Sequence, residues 1–364
     1  MGVSEKIAEI EFEMARTQKN KATEHHLGML KAKLAKLQHQ LLEQGSAKGP
    51  KGEGFDVARS GSATVALIGF PSVGKSSLLA SITDAKSEAA AYEFTTLTTV
   101  PGIMRLNDSQ IQVLDLPGII ENAADGKGRG RQVIAVSRTA DLVLMMLDAQ
   151  KATYQRERLT YEMWKMGIRL NEPPPDVTIT KRKYGGFKFN SIVKQSVLTE
   201  DLARKIAHTY RLFHCEILVR EDITVDQFID ALEGNRVYIP CLYVVNKADA
   251  ISIAACEHFA ALPDTVLTCV KWASNLDFLK QRIWEKLGLI RIYLKKKGEP
   301  IDPIDDLLIL KNGSSVTEVC RKLHRDLADS IKSAKIWGTS VKHEAQRVGM
   351  GHIVEDGDVI TLIK

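Results

Sequence analysis

Long apolar runs are missing from this sequence: no stretch approaches the ~18–20 apolar residues that a membrane-spanning helix needs. A basic patch leading into an apolar segment is missing too, because the first residues alternate in charge, so no secretory leader is expected. Cysteine is sparse. Cys215, Cys241, Cys256, Cys269 and Cys320 are odd in number and never stand at Cys-x-x-Cys spacing, so neither a disulfide framework nor a zinc site is suggested. Buried thiols in a reducing, cytoplasmic setting are the expectation. Charge of one sign is also scarce. The formal net charge is +5 over 364 residues, so the clustering of charge says more about partners than its total. What is present is ordinary for a globular chain, 44% hydrophobic and 26% charged, and the length calls for two or three domains.

From Val3 to about Glu43 apolar residues recur at helical spacing. Ile7, Ile10 and Met14 share one face, Leu27, Leu30, Leu34, Leu37 and Leu41 repeat three and four apart, and Asn20 is placed to divide the run. The leucine stripe reads as a packing face ahead of a partner-binding one. Arg16, Lys19, Lys21, Lys31, Lys33 and Lys36 stand against the single acid Glu24, which makes either a solvated face or a phosphate-backbone contact. A Gly/Ser/Lys-rich linker, GSAKGPKGEG (45–54), follows. Short apolar runs then alternate with helical stretches: ATVALIG (Ala63–Gly69), IQVLD (111–115), DLVLMMLD (141–148), VYIPCLYVVN (237–246) and TVLTCV (265–270). These read as buried strands of a mostly parallel α/β sheet.

From Asp148 to Val237 the chain runs far longer than one helix and two loops need, so a small inserted domain is expected there. In it VTITKRKYGGFKFN (177–190) reads as a β-hairpin turning at Gly185-Gly186. A helix from about Glu200 to Phe213, a strand CEILVR and a helix capped by Thr224 and Gln227 follow. After a helix ending near Leu287, IRIYL (290–294), a helix capped by Ser315 and Glu318, and a closing strand VITLIK make a compact αβ pattern.

Three motifs carry chemistry. GFPSVGKS (69–76) matches G-x-x-x-x-G-K-[ST] between a strand and a helix, where backbone N–H groups and the helix N-terminus surround phosphates. Lys75 would reach the β- and γ-phosphates and Ser76 would coordinate Mg²⁺. DLPG (115–118) ends the next strand, with Asp115 placed for Mg²⁺ and the Gly118 N–H for the γ-phosphate. NKAD (246–249) ends another. The Asp249 carboxylate would accept from guanine N1–H and the 2-amino group, and adenine offers no such edge. Leaving a buried hydrogen-bonding site unpaired rejects the wrong base by about 10⁴–10⁵. Between the first two motifs, AAYEFTTLTTVPG offers Thr95, Thr96, Thr98 and Thr99 as the residue that completes the Mg²⁺ shell when γ-phosphate is present. The nucleotide pair is GTP/GDP.

GFPSVGKS, AAYEFTTLT, LDLPGIIE followed by GKGRGRQVIAVSRTAD, NRVYIPCLYVVNKAD and the C-terminal KIWGTSVKHEAQRVGMGH resemble the developmentally regulated GTP-binding proteins (DRG), a branch of the Obg-like GTPases, and their second type more than their first. The resemblance covers nearly the whole chain. It implies an α/β fold: a P-loop G domain with a mostly parallel sheet, an N-terminal helical region, an inserted small αβ domain like a ribosomal-protein domain, and a C-terminal β-grasp (TGS-like) domain. The expected division is residues 1–50 for the helical hairpin and linker, 51–150 and 236–288 for the G domain, 151–235 for the insert, and 289–364 for the TGS-like domain. It also implies GTP hydrolysis as a ribosome-associated switch in translation, a DRG-family regulatory protein as partner, and ribosomal RNA as a contact.

For the site, the resemblance makes Thr96 the Mg²⁺ ligand beside Ser76 and Asp115, and Lys75, Thr96 and Gly118 are the residues expected to act in catalysis. Gly69, Pro71, Ser72, Val73, Gly74, Lys75, Ser76, Ser77, Asp115, Gly118, Asn246, Lys247 and Asp249 are the expected nucleotide contacts. Lys21 matches a position at which the family is a target of lysyl hydroxylation. Three positions depart from common patterns. Ile119 stands where many GTPases carry a water-orienting glutamine, so slow intrinsic turnover is expected. Ser72 replaces the asparagine of potassium-stimulated relatives, which bears on K⁺ as an activator. The residues closing over guanine fall at Cys269-Val270, with Ala273-Ser274 as the alternative.

The basic residues of the insert form a second candidate contact. Lys181, Arg182, Lys183 and Lys188 are interleaved with Tyr184, Phe187 and Phe189, so either the aromatics pack into the insert's core or the tip meets ribosomal RNA.

Overall fold

The computed structural model describes residues 2–18, 20, 23–46, 61–83, 101–116, 137–296, 302, 306–324 and 326–363. Lys19, Lys21, the four threonines 95, 96, 98 and 99, and Gly118 and Ile119 lie outside the described residues. Among those described, the chain forms two compact units. One holds the N-terminal helices and the insert, and the other holds the central sheet and the C-terminal domain. No described helix is long and apolar enough to cross a membrane.

The chain opens with α1 (Val3–Arg16) and α2 (Glu24–Ser46). There follow β1 (Ala63–Gly69), α3 (Lys75–Ile82), β2 (Pro101–Leu106), β3 (Ser109–Asp115), β4 (Leu142–Asp148), α4 (Ala152–Lys165), β5 (Ile168–Leu170), β6 (Val177–Lys181), β7 (Phe187–Ser191), α5 (Glu200–Thr209), β8 (Cys215–Val219), α6 (Val225–Glu233), β9 (Val237–Ile239) and β10 (Cys241–Asn246). The remainder adds α7 (Ile253–Ala260), β11 (Thr265–Leu267), α8 (Leu276–Leu287), β12 (Leu289–Leu294), β13 (Leu307–Lys311), α9 (Val316–Leu323), α10 (Leu327–Ser330), β14 (Ser333–Trp337), β15 (Gln346–Val348) and β16 (Val359–Ile363).

In the first unit, Asn20 divides the two N-terminal helices by a local bond, its side-chain oxygen accepting the Thr23 N–H at 3.0 Å. Leu30 and Leu34 of the α2 stripe are buried, as a packing face requires, and a second face of the helix meets the insert. Ala32 lies in the core of the insert with Leu202, Ile206 and Phe228, and Met29 and Ala35 pack at its margin. A Cβ on Gly28 would stand 3.0 Å from a Leu202 methyl, so the helix approaches closely there. Two of the basic residues serve the same packing. Lys31 Nζ lies 2.6 Å from Asp226 Oδ2, and Lys36 Nζ donates to the Thr209 carbonyl at 2.8 Å.

The expected hairpin over residues 177–190 does not form. β6 and β7 are kept apart by β8, which pairs antiparallel with β6 and parallel with β7. The reason is apolar content: β8 buries Cys215, Ile217 and Val219 and so takes the centre, leaving the half-buried β6 and β7 as edges. Phe187 and Phe189 pack against the insert's core. The predicted helix to Phe213 stops at Thr209, and Gln227 completes the Thr224 cap as its residue types require.

The second unit is organised on a six-stranded sheet in the order β11-β10-β4-β1-β3-β2, parallel except for β2. β1 is buried along its whole length, which is why its sequence is continuously apolar. β2 went unread because Pro101 and Gly102 disfavour strand. The signal sits in the turn that follows, where Asn107 and Asp108 take φ of 48° and 58°, as a two-residue hairpin connection needs. The expected single strand over 237–246 is two strands in different sheets, separated by Pro240: β9 pairs with β5, and β10 with β4 and β11. The C-terminal sheet runs β13-β12-β16-β14-β15 in a β-grasp arrangement. α9 closes its core through Val316, Val319 and Cys320, and the Ser315 N–H donates to Glu318 Oε2 at 2.9 Å.

Candidate nucleotide site

The C-terminal ends of β1, β3, β4 and β10 bring the motif residues together. β1 ends at Gly69, and the chain must then turn through Phe70–Gly74 into α3. Two glycines are obligatory here. A Cβ at Gly69 would lie 2.5 Å from the Met146 carbonyl oxygen, and one at Gly74, where φ is 100°, would lie 2.7 Å from Asn246 Nδ2. Ser72 is also left-handed, with φ of 62°, so the loop carries backbone strain at a non-glycine position. Pro71, Ser72 and Ser77 are exposed, and Val73 is buried and anchors the loop to the core below. Among the described residues no side chain caps α3, which leaves its first N–H groups to an anion.

Lys75 is buried, and its Nζ donates to the carbonyls of Gly69 and Phe70 at 3.2 and 2.9 Å. Burial pushes its pKa down, and the Asp115 carboxylate opposes that shift. Asp115 is fixed opposite Leu67 by the parallel register of β1 and β3. The Ser76 hydroxyl donates to Asp115 Oδ2 at 2.7 Å, while Asp115 Oδ1 is buried with no partner among the described residues. A hydroxyl and a carboxylate meeting at a buried acceptor are the hard oxygen donors that suit Mg²⁺, so the residues fit the metal the motifs imply.

Asn246 ends β10, buried, and acts as a strut. Its Nδ2 donates to the Val73 carbonyl at 2.8 Å, and its Oδ1 accepts the Val270 N–H at 3.1 Å. It therefore ties the phosphate loop to the turn after β11. Lys247 turns the chain in the left-handed region, φ 64°, and its Nζ lies 2.6 Å from Asp148 Oδ2. Asp249 follows on a short 3₁₀ turn (Ala248–Ala250), anchored where the Ala248 N–H donates to the Thr268 carbonyl.

The Cys269 thiol donates to Asp249 Oδ1 at 3.1 Å, the largest influence holding that carboxyl below its ordinary range. The Asp249 backbone N–H, the Trp272 indole and the Lys271 charge act in the same direction, against desolvation. Burial, with the Asp249 contact behind it, pushes the thiol pKa up. Of the two expected closing pairs, Cys269-Val270 is the one brought to the motif. Ala273 sits at φ 50°, and the Ser274 N–H returns to the Cys269 carbonyl at 3.0 Å. Sequence reasoning missed Asp148 and Trp272. The signal for Asp148 was available, because it closes a buried strand beside Asn246 and is its register partner in β10.

The family described as 50S ribosome-binding GTPase matches residues 64–181, the C-terminal region of the same domain matches residues 184–289, and the TGS domain matches residues 290–364. The chain is 56% identical over 363 residues to GTP-binding protein 1 of Schizosaccharomyces pombe, covering 100% of this chain and 99% of that one. It is 54% identical over 364 residues to Developmentally-regulated GTP-binding protein 2 of Bos taurus and to that of Homo sapiens, covering 100% of each chain. The chain belongs to the developmentally-regulated GTP-binding protein family, a family of P-loop GTPases.

Proposed function

We propose that the chain is a GTP-hydrolysing switch that acts on the ribosome in translation, with Lys75, Ser76, Asp115, Asn246, Lys247 and Asp249 as its nucleotide-site residues. The observation that carries this is the convergence of two carboxylates on one set of strand ends: Asp115, joined to Ser76 with one oxygen unpartnered among the described residues, and Asp249, presented on a turn beside Cys269. Lys75 leaves its two loop carbonyls for the β- and γ-phosphate oxygens, and the uncapped start of α3 supplies further N–H donors. Ser76 and Asp115 would hold Mg²⁺, with Thr96 completing the set. Bound there, the ion neutralises charge on the phosphate oxygens.

Asp249 reads guanine and excludes adenine. Cys269 and Val270 close over the base, and Thr96 and Gly118 respond to the γ-phosphate. Ile119 offers no hydrogen bond to water, so intrinsic turnover is slow, and a partner or a cation such as K⁺ accelerates it. The description of the matching family supports a ribosomal partner.

The rival reading is an RNA- or ribosome-binding adaptor in which nucleotide is structural. Multiple-turnover phosphate release with and without ribosomes separates the two. A switch releases phosphate repeatedly and faster on ribosomes, and a protein that binds GTP without turnover under either condition is an adaptor. Competition of GTP against ATP in the same assay tests the base assignment.

A further inference from the structure

Trp272 is 67% exposed, on a turn where most large apolar side chains would seek cover. It is not on a loose loop. Its own N–H donates to the Cys269 carbonyl at 3.1 Å, the Ala273 N–H donates to Val270 at 3.1 Å, and Cys269 and Ser274 bond each other in both directions. Below this turn, the Asn275 side chain donates to the Leu267 carbonyl at 2.7 Å, and Asn246 holds the Val270 N–H. Lys271 Nζ lies 5.1 Å from the indole centroid, a cation against the ring. The turn therefore holds an aromatic platform in place before any ligand arrives. Its location is set by Cys269, whose carbonyl accepts the Trp272 backbone N–H at 3.1 Å and whose thiol donates to Asp249 Oδ1 at 3.1 Å.

We propose that Trp272 is a nucleobase-contact residue: its indole lies along the guanine held by Asp249 and covers the base on the side that the Cys269–Ala273 turn leaves open. This deepens the reading of Asp249 as the guanine acceptor and rests on it. The physical case is one of neighbouring donors. Guanine N1–H and its 2-amino group must reach the same carboxylate that the Cys269 thiol touches, at the foot of the turn that carries the ring. Binding then covers indole surface that is otherwise wet. Because the turn is already fixed, little ordering entropy opposes the contact.

The test uses the full-length protein and GDP as the probe. Trp272→Ala should weaken GDP by about tenfold, the scale of one base–aromatic contact, and Trp272→Phe, which keeps a ring but loses the N–H, by less. GDP should change the tryptophan fluorescence of the wild type and leave that of Trp272→Phe nearly unchanged. The nucleotide-free unfolding midpoint of Trp272→Ala should equal that of the wild type, which an exposed contact residue predicts and a structural one does not. Wild-type GDP affinity in Trp272→Ala, with Asp249→Asn still impaired, overturns the role of Trp272 alone. Wild-type affinity in Asp249→Asn overturns the guanine reading beneath it. A lowered nucleotide-free midpoint in both Trp272 variants makes the residue structural and also ends the proposal.

Discussion

The nucleotide loops and the basic loop of the insert use the same residue types under opposite constraints. Lys75 and Asn246 are buried, and Lys75, Asp115, Asn246, Lys247 and Asp249 each meet a named partner at the end of a buried strand. Lys181, Arg182 and Lys183 stand exposed around Tyr184, which is 82% exposed, and Arg182 pairs with Glu216 across the strand ends. In the first region a changed side chain breaks a network that the fold already holds in place. In the second the charges are screened by water and salt, so each counts for little. Constraint by buried partners, more than charge itself, marks where chemistry is concentrated.

The sharpest way to break this comparison is at Lys75. Lys75→Ala should lower GTP turnover by about 10³-fold or more, because the ammonium acts on charge that develops at the phosphates. Phosphate release under saturating GTP measures it, with circular dichroism showing that the fold survives. Turnover within tenfold of wild type would mean that the buried lysine is only a structural tie between Gly69 and Phe70.

A buried charge without a ligand is the control. Arg169 donates to both carboxylate oxygens of Asp230 at 2.6 and 2.7 Å, Arg236 donates to Oδ1 at 3.0 Å, and the three side chains are 3–6% exposed. Asp230→Ala leaves two guanidinium groups buried beside each other without their acceptor. It should cost about 3–5 kcal/mol of stability, read by denaturant unfolding, while GTP affinity of the folded protein stays unchanged. A loss under 1 kcal/mol would show that water reaches the cluster.

Base choice comes next in size. Asp249→Asn removes the charge and turns one of the two acceptor oxygens into an NH₂ donor, so it should weaken GTP by about 10²-fold while favouring xanthosine nucleotides. Equilibrium competition between GTP and XTP reads this directly, and an unchanged preference for GTP removes Asp249 from the base site.

Where the motif residues would meet was legible in the sequence because they occupy fixed positions relative to strand ends. GFPSVGKS, Asp115 and NKAD each follow an apolar run, and a parallel sheet places all such ends on one edge. The N-terminal helices and the capped helices α6 and α9 were legible for a similar reason, since caps and periodicity are local. What was not legible depended on distant segments. Nothing within 177–190 says that Cys215–Val219 will lie between its two strands, and nothing in VYIPCLYVVN alone assigns its halves to different sheets, although Pro240 marks the break. Asp148 and Trp272 escaped because neither belongs to a motif, and only the fold brings Asp148 to Lys247 and sets Trp272 on the turn of Cys269.

The smallest expected effect belongs to the insert's basic loop, and the structure changes its shape from the one expected. With β8 between β6 and β7, residues 182–186 wrap the start of β8. The Arg182 N–H donates to the His214 carbonyl, the Gly186 N–H to His214 Nδ1 at 3.2 Å, and the Cys215 N–H to the Gly186 carbonyl. Phe187 and Phe189 turn to the core, so they are not available to stack on bases, and Arg204 lies 5.7 Å over the Phe187 ring. What remains for RNA is Tyr184 with Lys181, Lys183 and Lys188, plus Arg182 shared with Glu216. Each phosphate neutralised contributes a salt slope of about −0.7 to −0.9. Replacing Lys181, Arg182 and Lys183 by glutamate should therefore weaken ribosome co-sedimentation several-fold at low salt and flatten its salt dependence by roughly two, with GTP affinity unchanged. Arg182 is expected to contribute least, because Glu216 already screens it. The exposed Lys33 on α2 is the parallel case, since Lys31 and Lys36 are committed to Asp226 and Thr209. If the triple variant sediments with ribosomes as the wild type does at every salt concentration, the loop is a solvated edge, and the difference between the two regions is one of function as well as constraint.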